Sequence, residues 1–122
     1  MIEEASPLAR IVLPYPPSVN GTFRMHNGSR LSGPYKEWRD RAVARLLLQR
    51  CRHVPGPVML DIAYRAPDRR KRDIDNLLKA PLDLLVKQAI IEDDNSRVVR
   101  EIRARWVDEG EPCTVTIWRS VA

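Results

Sequence analysis

The spacing of apolar and polar positions changes several times along the 122-residue chain, and each change marks an element. Ala9 to Leu13 (A-R-I-V-L) is a short β-branched run that predicts a strand. It stops at Pro14, Pro16 and Pro17, which have no N–H to give to a ladder. Residues 16–33 are rich in Pro, Asn, Gly and Ser, with His26-Asn27-Gly28-Ser29 as a turn, and read as a long loop. From Ser32-Gly33-Pro34 the period becomes helical: Ser32 can cap, and Pro34 suits a first turn whose N–H has no partner anyway. Tyr35, Trp38, Ala42, Val43, Leu46 and Leu47 recur every three or four residues and predict one buried helix face. Val58, Leu60, Ile62 and Tyr64 then alternate with polar positions, so 57–65 reads as a strand with Asp61 and Arg65 on its other face. A second helix is predicted over 76–88, carrying Leu77, Leu78, Leu82, Leu85 and Val86. Pro81 inside it implies a kink or break. Finally, 97–107 and 113–119 flank Asp108-Glu109-Gly110-Glu111-Pro112 as a predicted β-hairpin, and Trp38 and Trp106 are expected in the core. Two helices segregated among about four strands give an α+β class, with one domain spanning 1–122.

Composition narrows what such a domain does. Lys and Arg total 21 against 16 Asp and Glu, a formal net charge of +5. In a small domain that balance favours polyanionic partners, nucleic acid above all. No apolar run approaches the roughly 20 residues a membrane span needs. The start, Met1-Ile2-Glu3-Glu4-Ala5, is acidic and unlike a secretory signal. Cys51 and Cys113 form neither a disulfide framework nor a zinc-site spacing, so they read as reduced thiols of a cytoplasmic protein with no membrane association.

The chemistry concentrates in one stretch, Pro67-Asp68-Arg69-Arg70-Lys71-Arg72-Asp73-Ile74-Asp75-Asn76-Leu77-Leu78-Lys79. Four cations, Arg69, Arg70, Lys71 and Arg72, run into two carboxylates spaced i, i+2. In an extended segment this spacing puts Asp73 and Asp75 on one side and Ile74 on the other. Neighbouring carboxylates repel, and a divalent cation relieves the repulsion. Mg²⁺ in particular takes hard oxygen ligands and commonly uses only one or two protein carboxylates. Lys79 follows Asp75 by four residues and could offer an ammonium beside them. Glu92-Asp93-Asp94 is a third carboxylate source, provided the chain after the second helix returns toward Asp73. Such a set serves metal-assisted phosphodiester hydrolysis.

Each part also has a plainer reading. The basic run suits a solvated surface, Asp75 a helix cap, Lys79 an ion-pair stripe, and Asp93-Asp94-Asn95-Ser96 an ordinary turn. Spacing alone favours a metal-dependent nuclease over a basic DNA-binding module only modestly. Pro67-Asp68 also suggests a restriction-type nuclease, but no lysine stands two residues after an acid at the expected place.

Four ordered blocks carry a more specific signal. They are Leu13-Pro14-Tyr15-Pro16-Pro17-Ser18-Val19-Asn20, Ser32-Gly33-Pro34-Tyr35-Lys36-Glu37-Trp38-Arg39-Asp40, the stretch from Pro67 to Ala80, and Asp93-Asp94. Together they resemble the RusA-type Holliday junction resolvases, over most of the chain. The resemblance implies an α+β protomer with a small mixed sheet, Mg²⁺ (or Mn²⁺) dependence, and a homodimer that cuts four-way DNA junctions in recombination and repair. It implies metal-binding aspartates at Asp73, Asp75 and Asp94, an essential lysine at Lys79, and an auxiliary acid at Asp93. Arg69 to Arg72 are then expected to engage DNA phosphates. Pro81 departs from the family's straight helix and leaves the placement of Lys79 open.

Overall fold

A computed structural model describes residues 6–18, 23–25, 29–31 and 33–120. The acidic start Met1–Ala5, Val19-Asn20, the His26-Asn27-Gly28 turn and the Ser32 cap lie outside the described residues. The chain runs β1 (Ala9–Leu13), β2 (Phe23–Met25), β3 (Ser29–Leu31), α1 (Gly33–Gln49), β4 (Val58–Tyr64), a 3₁₀ turn (Ile74–Leu77), α2 (Lys79–Lys87), β5 (Val99–Trp106) and β6 (Cys113–Arg119). Four strands form a mixed sheet in the order β1-β6-β4-β5, with β4 and β5 parallel and the other neighbours antiparallel. The α+β class read from the pattern is what the structure has. Within the proline-rich loop, β2 and β3 pair as a separate two-stranded ribbon too short to show a period.

The expected β5–β6 hairpin does not form. Because α2 carries the chain back to the Val58 end of the sheet, β5 must run parallel to β4. The following turn then crosses the far end of β4, where Val107 N–H donates to the Tyr64 carbonyl (2.8 Å) and Arg65 N–H to that of Pro112 (3.0 Å). That crossing delivers β6 to the opposite side of β4. An acidic Gly-Pro turn between two strands signals reversal but not which neighbour the second strand takes.

Strand alternation sets the core. Ile11 and Leu13, Val58, Leu60, Ile62 and Tyr64, and Cys113, Val115 and Ile117 are all buried on one face of the sheet. Both helices cover that face, α1 through Tyr35, Trp38, Ala42 and Leu46 and α2 through Ala80, Leu84 and Leu85. Trp38 is held by its indole N–H, which donates to the Pro14 carbonyl at 2.9 Å. Two residues depart from expectation: Leu47, placed on the buried face by its spacing, is 74% exposed, and Trp106 is 39% exposed. Leu47 sits one step past the apolar stripe, and Trp106 lies on the edge strand, which has no neighbour beyond it among the described residues. Both cysteines are free thiols, as read from their spacing, and burial pushes Cys113 up to about 12.

Of the kink or break expected at Pro81, the structure has the break. The predicted 76–88 helix divides into the 3₁₀ turn and α2, and Pro81 falls in the first turn of α2, where an N–H would be unpaired. The missing N–H leaves the Leu77 carbonyl without its i+4 donor, and the buried Tyr64 hydroxyl donates to it instead at 2.8 Å. Burial raises the Tyr64 phenol well above its ordinary value, so it remains a donor. Tyr64→Phe strands that buried carbonyl and is expected to lower stability by about 1–3 kcal/mol. The change should appear as an earlier urea midpoint at unchanged slope.

Both helices end without glycine. Arg50 (φ 54°) and Ala89 (φ 56°) take the left-handed conformation, at a cost of about 1 kcal/mol each relative to glycine. After α1, Cys51 N–H bonds the Leu46 carbonyl and Arg50 N–H that of Leu47; after α2, Ile90 and Ala89 do the same to Leu85 and Val86. Just inside the first of these ends, the Gln49 carboxamide accepts from Val12 N–H (2.7 Å) and donates to Val12 C=O (2.8 Å), as a neighbouring strand would.

Candidate active site

The segment that leaves β4 at Tyr64 carries the basic run and both early aspartates. Asp73 is extended (φ −94°, ψ 122°) and immediately precedes the 3₁₀ turn that contains Asp75. Ile74 between them packs against the core, so both aspartates lie exposed on the outer side. The outward-facing pair inferred from spacing is therefore present, although Asp75 is held by a tight turn (Asn76 N–H to Asp73 C=O, 3.2 Å) and not by an extended strand. Lys79 opens α2 and pairs with Asp83 at 3.5 Å, the i, i+4 partner its position allows.

Beside Asp73 lies a cleft of about 580 Å³. Tyr15, Pro16 and Ser18 line one wall, Trp38 and Arg41 of α1 another, and Arg70, Lys71, Arg72 and Asp73 the third. Not all of its cations are equivalent. Arg72 makes a two-pronged pair with Asp68, its Nη2 3.0 Å from Oδ2 and its Nη1 on Oδ1, and lies 5.8 Å over the Tyr15 ring. The guanidinium and the Arg70 N–H (2.9 Å) together hold the Asp68 carboxyl well below its usual range, at about 2. Arg72 is thus committed to shaping the loop against the aromatic wall. Arg69, Arg70 and Lys71 are exposed on the same loop.

Asp94 lies elsewhere. Its turn is pinned to the opposite end of β4: Val54 N–H donates to Ile90 C=O, Gly56 N–H to Glu92 Oε1 (3.0 Å) and Val58 N–H to Val98 C=O. Asp93 spends its carboxylate inside the turn, accepting from Asp94 N–H (2.8 Å) and Asn95 Nδ2 (3.1 Å), while Asp94 is exposed. Asp73 and Asp75 follow the Tyr64 end, so the seven-residue length of β4 separates the two acidic places, about 20 Å at about 3.3 Å per residue. The return toward Asp73 contemplated from the sequence does not occur within one protomer, because α2 runs from one end of the sheet to the other. Among the described residues, no three His, Cys, Asp or Glu side chains stand close enough to hold a metal ion.

Arg41 and Tyr15 were not singled out by residue pattern. Arg41 follows Trp38 by one turn beside the apolar stripe, and Tyr15 sits between two prolines. Only the fold brings both against the basic loop.

Asp73 thus lines a basic, aromatic cleft in a two-layer α+β domain, with Asp75 exposed two residues on, an arrangement suited to an enzyme that acts on a nucleic-acid backbone. Residues 14–117 match the family model described as Endodeoxyribonuclease RusA, and the chain belongs to that family. The chain is 36% identical over 110 residues to the crossover junction endodeoxyribonuclease RusA of Escherichia coli strain K12, covering 88% of this chain and 91% of that protein. The enzyme of the same name from Enterobacteria phage 82 shows the same identity and coverage, and that of Shigella sonnei strain Ss046 is 34% identical over the same span. The resemblance carried by the four sequence blocks is borne out. No helix among the described residues is long and apolar enough to cross a membrane.

Proposed function

We propose that this protein is a divalent-metal-dependent endonuclease that resolves four-way DNA junctions as a homodimer, with active sites shared between subunits. The observation that carries this reading is the placement of its acids: Asp73 and Asp75 beside the basic cleft at one end of the sheet, Asp94 exposed at the other. A two-fold axis that sets two copies of the sheet antiparallel brings Asp94 of the partner subunit to the Asp73–Asp75 end of its mate. The edge strand β5 suits such an axis: among the described residues it has one strand neighbour, it exposes Ile102 (36%) and Trp106 (39%), and the Asp94 turn leads directly into it. Isologous pairing also yields two sites at once, as paired incision requires.

The donor set fits Mg²⁺ or Mn²⁺, because three carboxylates are hard oxygen ligands with room left for water and phosphate. Such an ion, when bound, supplies Lewis acidity at the phosphoryl oxygens and lowers the pKa of coordinated water. Asp73 and Asp75 position it and orient the attacking water. Lys79, one helical turn beyond Asp75 and beside Asp83, offers an ammonium to the phosphoryl oxygen that gains charge. Arg69, Arg70 and Lys71 hold backbone phosphates, and Arg72, strapped to Asp68, keeps their loop in place.

The test is incubation with a labelled four-way junction, with and without Mg²⁺, and mapping of nicks on a denaturing gel. Paired symmetric nicks near the crossover, abolished by chelation, are expected. Scattered cuts in linear duplex would indicate a restriction-type enzyme, and a mobility shift without nicks a binding module.

A further inference from the structure

At the C-terminal end of α1, away from the cleft, lies a second hollow of about 420 Å³. Arg10, Arg50, Arg52, His53 and Arg119 line it, and no Asp or Glu among the described residues does. We propose that this hollow is a second DNA-backbone site, which takes phosphates of a junction arm after that arm has left the cleft; it rests on the junction-binding reading above. Two features support it.

The first is charge without neutralisation. Arg119 is engaged, its Nη1 donating to the carbonyls of Pro55 and Pro57 (3.3 Å for the latter). Arg50 and Arg52 are exposed, and neither belongs to any ion pair among the described residues. The second is position. His53 Nδ1 lies 2.8 Å from the Ala89 carbonyl and Val54 N–H donates to the Ile90 carbonyl (2.7 Å), so the rim of the hollow is tied to the segment that leads into the Asp94 turn.

Phosphodiester oxygens are the ligand chemistry that such an arrangement of guanidinium groups takes.

The discriminating variant is Arg50→Gly with Arg52→Ala. Removal of left-handed strain means that it should melt no lower than the unaltered protein, which separates lost binding from lost folding. Fluorescence anisotropy is measured on a labelled junction with 20-bp arms, from 50 to 300 mM salt. Affinity is expected to fall about tenfold at 0.1 M salt, with the slope of log K against log salt shallower by about 2. Unchanged affinity and slope would overturn the site and leave the junction-resolving reading intact. If the unaltered protein binds linear 20-bp duplex as tightly as junctions, and the variant still loses affinity for that duplex, the backbone site stands and the junction reading fails.

Discussion

Protein carrying Asp75→Asn is expected to lose junction cleavage by at least about 10³-fold while binding the junction as before. The carboxamide keeps the shape of the side chain, and Asp75 is exposed on the outer side of its turn, so the fold has little reason to respond. What disappears is one of the negative ligands that hold a divalent cation against the phosphate, a contribution of several kcal/mol to the barrier, with each 1.36 kcal/mol worth about tenfold in rate. Single-turnover cleavage with excess protein isolates the chemical step, and anisotropy on the same junction reports binding. Cleavage within tenfold of the unaltered protein would remove Asp75 from the catalytic set.

A more diagnostic effect is expected from mixing two inactive proteins. Asp94→Asn alone should be as defective as Asp75→Asn. If each active site draws Asp73 and Asp75 from one subunit and Asp94 from the other, a mixed dimer of the two variants holds one doubly damaged site and one intact site. After exchange of subunits about half the dimers are mixed, so about a quarter of all sites regain activity, several hundred-fold above either variant by itself. The restored cuts should be single nicks and not paired ones, since each mixed dimer has one working site. If the acids of one site all come from one subunit, every site in the mixture remains damaged and no activity returns. The measurement needs only a nicked-product band on a denaturing gel.

The strands were legible because alternation was clean. Ala9–Leu13 and Cys113–Arg119 have the bounds their apolar residues suggested, and β4 and β5 were displaced at their ends by one or two positions. The order of the strands was not legible, since a turn of Asp, Glu, Gly and Pro is equally compatible with a hairpin and with a crossing over the end of β4. Pro81 announced a break and the structure has one, between the 3₁₀ turn and α2; what sequence could not show is that Tyr64, thirteen residues earlier than Leu77, supplies the missing donor. Local periodicity holds no information about such a distant hydroxyl. The helix ends at Arg50 and Ala89 carried no glycine to announce them.

At the candidate site, the local half was readable and the long-range half was not. The i, i+2 spacing around a single apolar residue was enough to place Asp73 and Asp75 outward with Ile74 inward. Whether Asp94 joins them depends on where α2 ends, and a nine-residue helix running beside a seven-residue strand carries the chain to the opposite end of the sheet. The roles of Asp68 and Arg72 within the basic run were equally hidden. Four consecutive cations look alike in sequence, and only the two-pronged pair and the Tyr15 ring distinguish the one that braces the loop from those exposed on it.

The Gln49 carboxamide on Val12 bears on how many copies can assemble. Its two bonds occupy backbone groups of β1 that a further strand would use. If two copies join through β5 as proposed above, that strand's free edge is used up and the Val12 position of the opposite border is already occupied. Addition of a third sheet would then be opposed at both borders, which would favour a pair over a filament.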